Sequence, residues 1–221
     1  MARFRRAVVY GAALALVMVV TPAWAKDFYV DPAATSSGDG SAAKPWRSIQ
    51  EVIDNKLVQT QGWNALPYVD GTSTLVPKNA GAPVKAGDTI YLRSGFHGSL
   101  TITDHYNSGE ITIAAAPGAT AKLSWILIRA SAKWRLRGLS VSPSFAQTYE
   151  RKTMIKVESH GYRGPARDVV VENNTLRSVP DISAWTASDW DQKAASGIGT
   201  SGPRHQILGN TLENVNFGIS V

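Results

Sequence analysis

The chain has 221 residues, 23 basic against 17 acidic, a formal charge of +6 and no cysteine. The fold must therefore hold without disulfides, and the mild basic excess gives no reason to expect a nucleic-acid partner.

Residues 1–25 read as an export leader. Arg3, Arg5 and Arg6 form a basic start, an apolar run covers residues 7–20, and Ala23-Trp24-Ala25 puts small residues at the cleavage positions. The apolar run is short for a membrane span, so removal is expected, leaving a periplasmic or secreted protein without a stable membrane anchor. Arg5-Arg6 also fits the twin-arginine route, with the general secretory route as the default. Removal takes away three basic and no acidic residues, so the charge falls from +6 to +3 and 196 residues remain, 26–221. That length suits one domain with its own core.

After the leader, DFYVD reads as a strand, followed by a Gly/Ser/Asp loop at 35–41. Ser48 can cap a helix with Glu51 as its capping-box partner, and Ile49, Val52, Ile53 and Leu57 form one apolar stripe. Residues 59–83 show no period and read as a long surface loop, in which Trp63 and Tyr68 either stack on a sugar ring or pin the loop to the body. From Asp88 onward, DTIYLRSG, SLTIT, GEITIAAAPG, SWILIRAS and KWRLRGLSV are short alternating segments, with no sustained helical period.

Two phrases repeat. Val171, Asn174, Thr175 and Leu176 recur 36 positions later as Ile207, Asn210, Thr211 and Leu212, and GIGT at 197–200 recurs after 21 as GISV at 218–221. WRLRGLSV at 134–141 is a fainter copy of the first phrase. Short strands recurring once per unit predict an all-β solenoid whose first turn is covered by the helix at 49–57. Ile155, Val157, Val171, Leu176, Ile198, Thr200, Ile207, Leu212, Ile219 and Val221 are the expected inward positions. Lys156, Glu158, Val170 and Glu172 are expected outside. Asn174 should lie over Asn210 in a structural amide stack rather than in a reaction site.

The order of these motifs, from FYVD, GDGS and KPWRSIQEVID through GDTIYLRSG to VVVENNTL and GISV, resembles the right-handed parallel β-helix superfamily, the pectin-lyase-like group of exported bacterial proteins. The stretch from GDTIYLRSG to VVVENNTL is most similar to the alginate lyase and chondroitinase B branch. The resemblance implies a parallel β-helix with a short N-terminal capping helix, but not one activity, since the group holds lyases, hydrolases, epimerases and non-enzymes. The chain ends at GISV, inside a strand, so residues 26–221 are expected to be the N-terminal portion of a single longer domain, with some site residues beyond Val221.

The site is expected where loops lengthen. Ile155 to Ile198 takes 43 residues against 21 from Ile198 to Ile219. Most of the excess is the insertion at 178–195, with Trp185, Trp190, Asp181, Asp189 and Asp191. In register, Lys156, Gly199 and Ser220 form one outward row, with Glu158 and Ser201 in the next. This is either a low floor for a polymer or a set of glycines that only shape the turn. Residues 178–195 and 142–152 would be its walls.

The mild positive charge is compatible with an acidic polysaccharide. β-Elimination on a uronate needs a base, a stabiliser of the enolate-like charge and an acid. Lys156, Arg151, Tyr149 and His160 are the residue types for those roles, though Lys156 and Glu158 on one face also form an ordinary solvated pair. Trp185, Trp190, Glu158 and Ser201 are the candidate substrate contacts. Asp189 and Asp191 read as hydrolytic carboxylates, loop-turn residues or oxygen ligands for calcium. His97, His105, His160 and His205 lack metal-ligand spacing, and His97 in GFHGS reads as a structural turn residue. The expected function is that of an exported β-helix protein acting on or binding an acidic polysaccharide, with β-elimination as the favoured reaction. The alternative is a non-catalytic glycan-binding or surface-attachment protein.

Overall fold

A computed structural model describes residues 25–221. The leader therefore lies almost wholly outside the described residues. In chain order the elements are β1 (Asp27–Val30), α1 (Ile49–Asp54), β2 (Thr60–Trp63), β3 (Leu75–Lys78), β4 (Thr89–Leu92), β5 (Gly95–Phe96), β6 (Leu100–Thr103), β7 (Tyr106–Ala115), β8 (Ala121–Leu123) and β9 (Ile126–Arg129). Then follow β10 (Ala132–Arg137), β11 (Ser140–Val141), β12 (Ile155–Glu158), β13 (Val170–Glu172), β14 (Thr175–Arg177), α2 (Ala187–Lys193), β15 (Ile198–Thr200), β16 (Gln206–Leu208), β17 (Thr211–Glu213) and β18 (Ile219–Ser220).

These strands wind into a parallel β-solenoid. The first sheet runs β1-β4-β7-β10-β13-β16, the second β5-β8-β11-β14-β17, and the third β6-β9-β12-β15-β18. From β4 onward each turn of chain contributes one strand to each sheet, and the pairing between turns is parallel. The repeat of 36 is this register: Val171 pairs with Ile207 and Leu176 with Leu212. The repeat of 21 sets Ile198 against Ile219.

Alternation sends one side chain of each pair inward. Ile90, Ile113, Leu136 and Val171 stack as one column in the first sheet, and Ile102, Ile128 and Val157 as one in the third, none more than 1% exposed. The expected inward positions in β16–β18 stay partly open, with Ile219 53% exposed. Val170 differs from expectation. It points outward yet is 6% exposed, because it lies in register between Arg135 and Gln206 on the outer face.

At the corner between the first and second sheets the backbone turns through a left-handed residue: Gly138, Asn173 and Gly209 take φ of 68°, 53° and 59°. Glycine and asparagine are the residues that accept this conformation at low cost. The next residue carries the amide stack. Asn174 Nδ2 donates to Asn210 Oδ1 (2.9 Å) and to Leu136 C=O (3.2 Å), while Asn174 Oδ1 accepts from Leu139 N–H (2.9 Å). Buried backbone groups left over by the corner are thereby satisfied.

α1 buries Ile49, Val52 and Ile53 against the core. Its Gln50 side chain acts like a neighbouring strand, accepting from Thr101 N–H (2.7 Å) and donating to Thr101 C=O (3.3 Å) at the outer edge of β6. Ser48 caps the helix through Gln50 N–H, but Glu51 accepts from Arg47 N–H (2.8 Å), so the expected reciprocal box is not formed.

The long loop expected at 59–83 is instead an antiparallel hairpin of β2 and β3, joined to the first sheet by one ladder pair, Gln61 with Tyr106, and by Thr60 Oγ1 donating to Asn107 Oδ1 at 2.9 Å. TQGW and LVPK lack alternation because the hairpin buries little, only Thr60 being closed off. Trp63 fixes it, its ring tilted against Tyr68 at 4.7 Å and against Tyr106 at 4.9 Å between centroids. Those two aromatics pin the segment rather than standing free.

Candidate functional site

The outer face of the third sheet is the floor predicted from the repeats. Thr101, Leu127, Lys156, Gly199 and Ser220 form one outward row across β6, β9, β12, β15 and β18. Thr103, Arg129 and Glu158 form the next. Four strand spacings make the row about 19 Å long. Gly199 is not demanded by backbone conformation, since it is absent from the left-handed glycines. An added Cβ would sit 3.3 Å from Ser220 Oγ and from Thr153 Cγ2. Its smallness keeps the floor low. Gly197 is different: a Cβ there would lie 2.4 Å from Gly218 C=O, so that glycine serves the stacking.

Three ionisable groups meet on this floor. Glu158 pairs with Lys156, and Arg129 Nε donates to Glu158 at 2.5 Å. Burial raises the Glu158 carboxyl, but hydrogen bonds and charge from Lys156 and Arg129 outweigh it and hold the group below its ordinary value. Lys156 remains 51% exposed. Sequence reading missed Arg129. The signal was present in SWILIRAS, whose alternation sends it outward one turn before Glu158.

Residues 142–154 and 178–197 form the first wall, and they are tied together. The insertion contains α2, which sequence reading took for an irregular loop. Thr186 and Asp189 form a capping box, and Asp189 pairs with Lys193 at 2.6 Å. Lys193 and Thr186 pull the Asp189 carboxyl down to about 2. Tyr149 donates its hydroxyl to Lys193 C=O, and Arg151 Nε donates to Ala194 C=O (2.9 Å). The end of α2 leaves such carbonyls without helical donors. Two candidate catalytic residues thus close a helix end.

Trp185 and Trp190 meet edge to face at 5.1 Å, with Trp190 exposed on the wall. Asp191 lies two positions from Asp189 on α2, so the two carboxylates leave the helix in different directions. Among the described residues no three His, Asp or Glu side chains gather as metal ligands.

The opposite bank is the turn from β12 to β13. His160 sits here, its backbone paired with Gly164, and Tyr162 C=O accepts from Tyr68 N–H (2.8 Å). A cleft of about 400 Å³ lies between Tyr68, Asp70, Ser159 and His160. Ser201 anchors this turn, its Oγ accepting from Ser159 N–H (3.0 Å) and its C=O accepting from Ser159 Oγ (3.2 Å). The predicted residues therefore divide among the floor (Lys156, Glu158), one bank (Tyr149, Arg151, Trp185, Trp190, Asp189, Asp191) and the other (His160, Ser201).

No protein-family model, curated protein or solved structure matches this chain.

Proposed function

We propose that this protein is an exported, right-handed, pectin-lyase-like β-helix, nearest the alginate lyase and chondroitinase B type, that engages an acidic polysaccharide along the outer face of its third sheet. The observation that carries the reading is the pair of cations, Lys156 and Arg129, on a low floor between two banks. A polymer lying along the row from Thr101 to Ser220 brings its carboxylates over these cations. α1 serves as the cap of the first turn, and the tryptophans of the 178–195 wall supply apolar contact for sugar rings.

β-Elimination is the favoured reaction: neutral Lys156 takes the proton α to the carboxylate, Arg129 lies beside the developing charge, and as the C–O bond breaks the protonated Lys156 returns its proton to the departing glycosidic oxygen. For this, Lys156 must release both its proton and Glu158. A second reading, non-catalytic binding, is favoured by one observation: Tyr149 and Arg151 already hold the end of α2.

Absorbance of the unsaturated product on alginate, pectate and chondroitin, with and without calcium, separates the readings when run beside calorimetric titration of the same oligomers. In a lyase, Lys156→Ala abolishes turnover while binding largely persists. In a binder no product forms, and Lys156→Ala weakens affinity modestly and in a salt-dependent way. Trp185→Ala or Trp190→Ala weakens binding by about 1–3 kcal/mol in either case. No product, no binding and unchanged tryptophan variants would discard the reading.

A further inference from the structure

A cavity of about 290 Å³ lies at the α1 end of the same face, lined by Gln50, Lys56, Lys78, Thr101, Thr103 and His105 among others. Thr101 and Thr103 continue the outward rows of Lys156 and Glu158, two strands further along, about 10 Å away. The cavity is thus the end of the floor rather than a separate feature.

Its lining carries two lysines and one carboxylate, Asp54. Lys78 is half-buried, and its Nζ donates to Asp104 C=O at 3.0 Å. Among the described residues neither Lys78 nor Lys56 has a carboxylate partner. Asp54 lines the same cavity and accepts from Gln50 Nε2 at 2.9 Å, while Asp104 pairs with Arg163 through one oxygen and keeps its Oδ1 buried without a hydrogen-bond partner. Burial lowers the Lys78 ammonium below its ordinary value, and Lys56 and Arg163 add to the effect against the pull of Asp104. The Lys78 ammonium is partly desolvated and bonded through Nζ to a backbone carbonyl, so an anion entering the cavity offers it a charge-assisted partner.

His105 adds no charge to this wall. It is 5% exposed, and its Nδ1 lies 2.7 Å from Thr103 C=O, an acceptor that requires the proton on Nδ1. Its Nε2 is left as a buried lone pair without a partner. Burial, then the neighbouring Lys78, push the imidazole down to about 4, so it is neutral near pH 7.

We propose that this cavity is an oxyanion subsite, held by Lys78 and Lys56, for the carboxylate of a sugar acid at the end of the bound polymer. The assignment of the ligand to a sugar acid rests on the polysaccharide reading above; the anion site itself does not.

The test is a titration of the full chain with glucuronate, glucose and inorganic phosphate, following the His105 imidazole and Lys78 side-chain resonances by NMR. Glucuronate should shift both signals saturably, and glucose should not. Lys78→Met should weaken the glucuronate Kd about tenfold, the size of one charge-assisted hydrogen bond, and Lys56→Ala should weaken it less. Should Lys78→Met fail to fold, Lys56→Ala must still weaken binding. Glucuronate that leaves His105 and Lys78 unmoved overturns the subsite. Phosphate binding as tightly as glucuronate overturns the sugar-acid assignment. Failure of acidic oligomers to bind at Lys156, with glucuronate still shifting His105, would count against the polymer reading alone.

Discussion

Asn174 and Asn210, one turn apart, share a hydrogen bond of 2.9 Å between side chains, and Asn210 Oδ1 also accepts from Asn174 N–H at 2.9 Å. The amide therefore binds three successive turns, reaching back to Leu136 and Leu139 and forward to Asn210. Asn174→Ala leaves Leu139 N–H buried without its acceptor and removes one donor each from Leu136 C=O and Asn210 Oδ1. The expected loss is about 3 kcal/mol, since each orphaned group costs roughly 1–3. Urea unfolding measures it, and a loss below about 0.5 kcal/mol, the level of an ordinary surface substitution, would show the stack to be incidental.

The wall offers a second measurement. Tyr149→Phe removes the donor to Lys193 C=O, and Arg151→Ala removes the donor to Ala194 C=O. Both should loosen α2 by about 1 kcal/mol each, the net worth of one hydrogen bond, without touching the core. Limited proteolysis should cut faster within 181–193 while global unfolding hardly changes. If Tyr149→Phe instead stops turnover with proteolysis unaltered, the phenol acts in the reaction and not at the helix end.

Acid sensitivity provides a third. The folded His105 imidazole lies at about 4, against an ordinary value of 6.5. Between those values the unfolded chain takes up a proton that the native protein refuses, so stability falls as pH drops from about 6.5 to about 4 and this contribution levels off below. The loss is on the order of 3 kcal/mol. His105→Gln should flatten that segment of the stability–pH curve, as read by chemical unfolding at closely spaced pH. A slope unchanged by the substitution would assign the acid response to other groups.

The architecture was legible because the solenoid writes its register into the chain. Val171 and Ile207 occupy the same place on successive turns, and so do the asparagines that follow them. The outward row of Lys156, Gly199 and Ser220 followed from the same arithmetic. Arg129 escaped notice because its turn carries no copy of either phrase, although alternation alone marks it as outward. The β2–β3 hairpin escaped because its strands bury almost nothing and so carry no period. α2 escaped for a similar reason: it buries none of its residues, and its one written signal is the cap, Thr186 with Asp189. The roles of Tyr149 and Arg151 were beyond reach, since they depend on where a helix ends across the gap between two loops.

The closure at the base of the wall has a further consequence. Ala195 N–H donates to Ser178 Oγ at 2.8 Å, and Ser142 Oγ donates to Ser178 C=O at 3.1 Å, so the two ends of the insertion are neighbours and Ser178 is fully enclosed. Everything between them leaves and re-enters the solenoid at one point. Lengthening such a closed segment costs only about 0.6 kcal/mol per doubling, whereas one residue added inside β13 would turn its inward column out to solvent. The same turns can therefore carry walls of different length and chemistry, exchanged as units, while the register beneath them stays fixed.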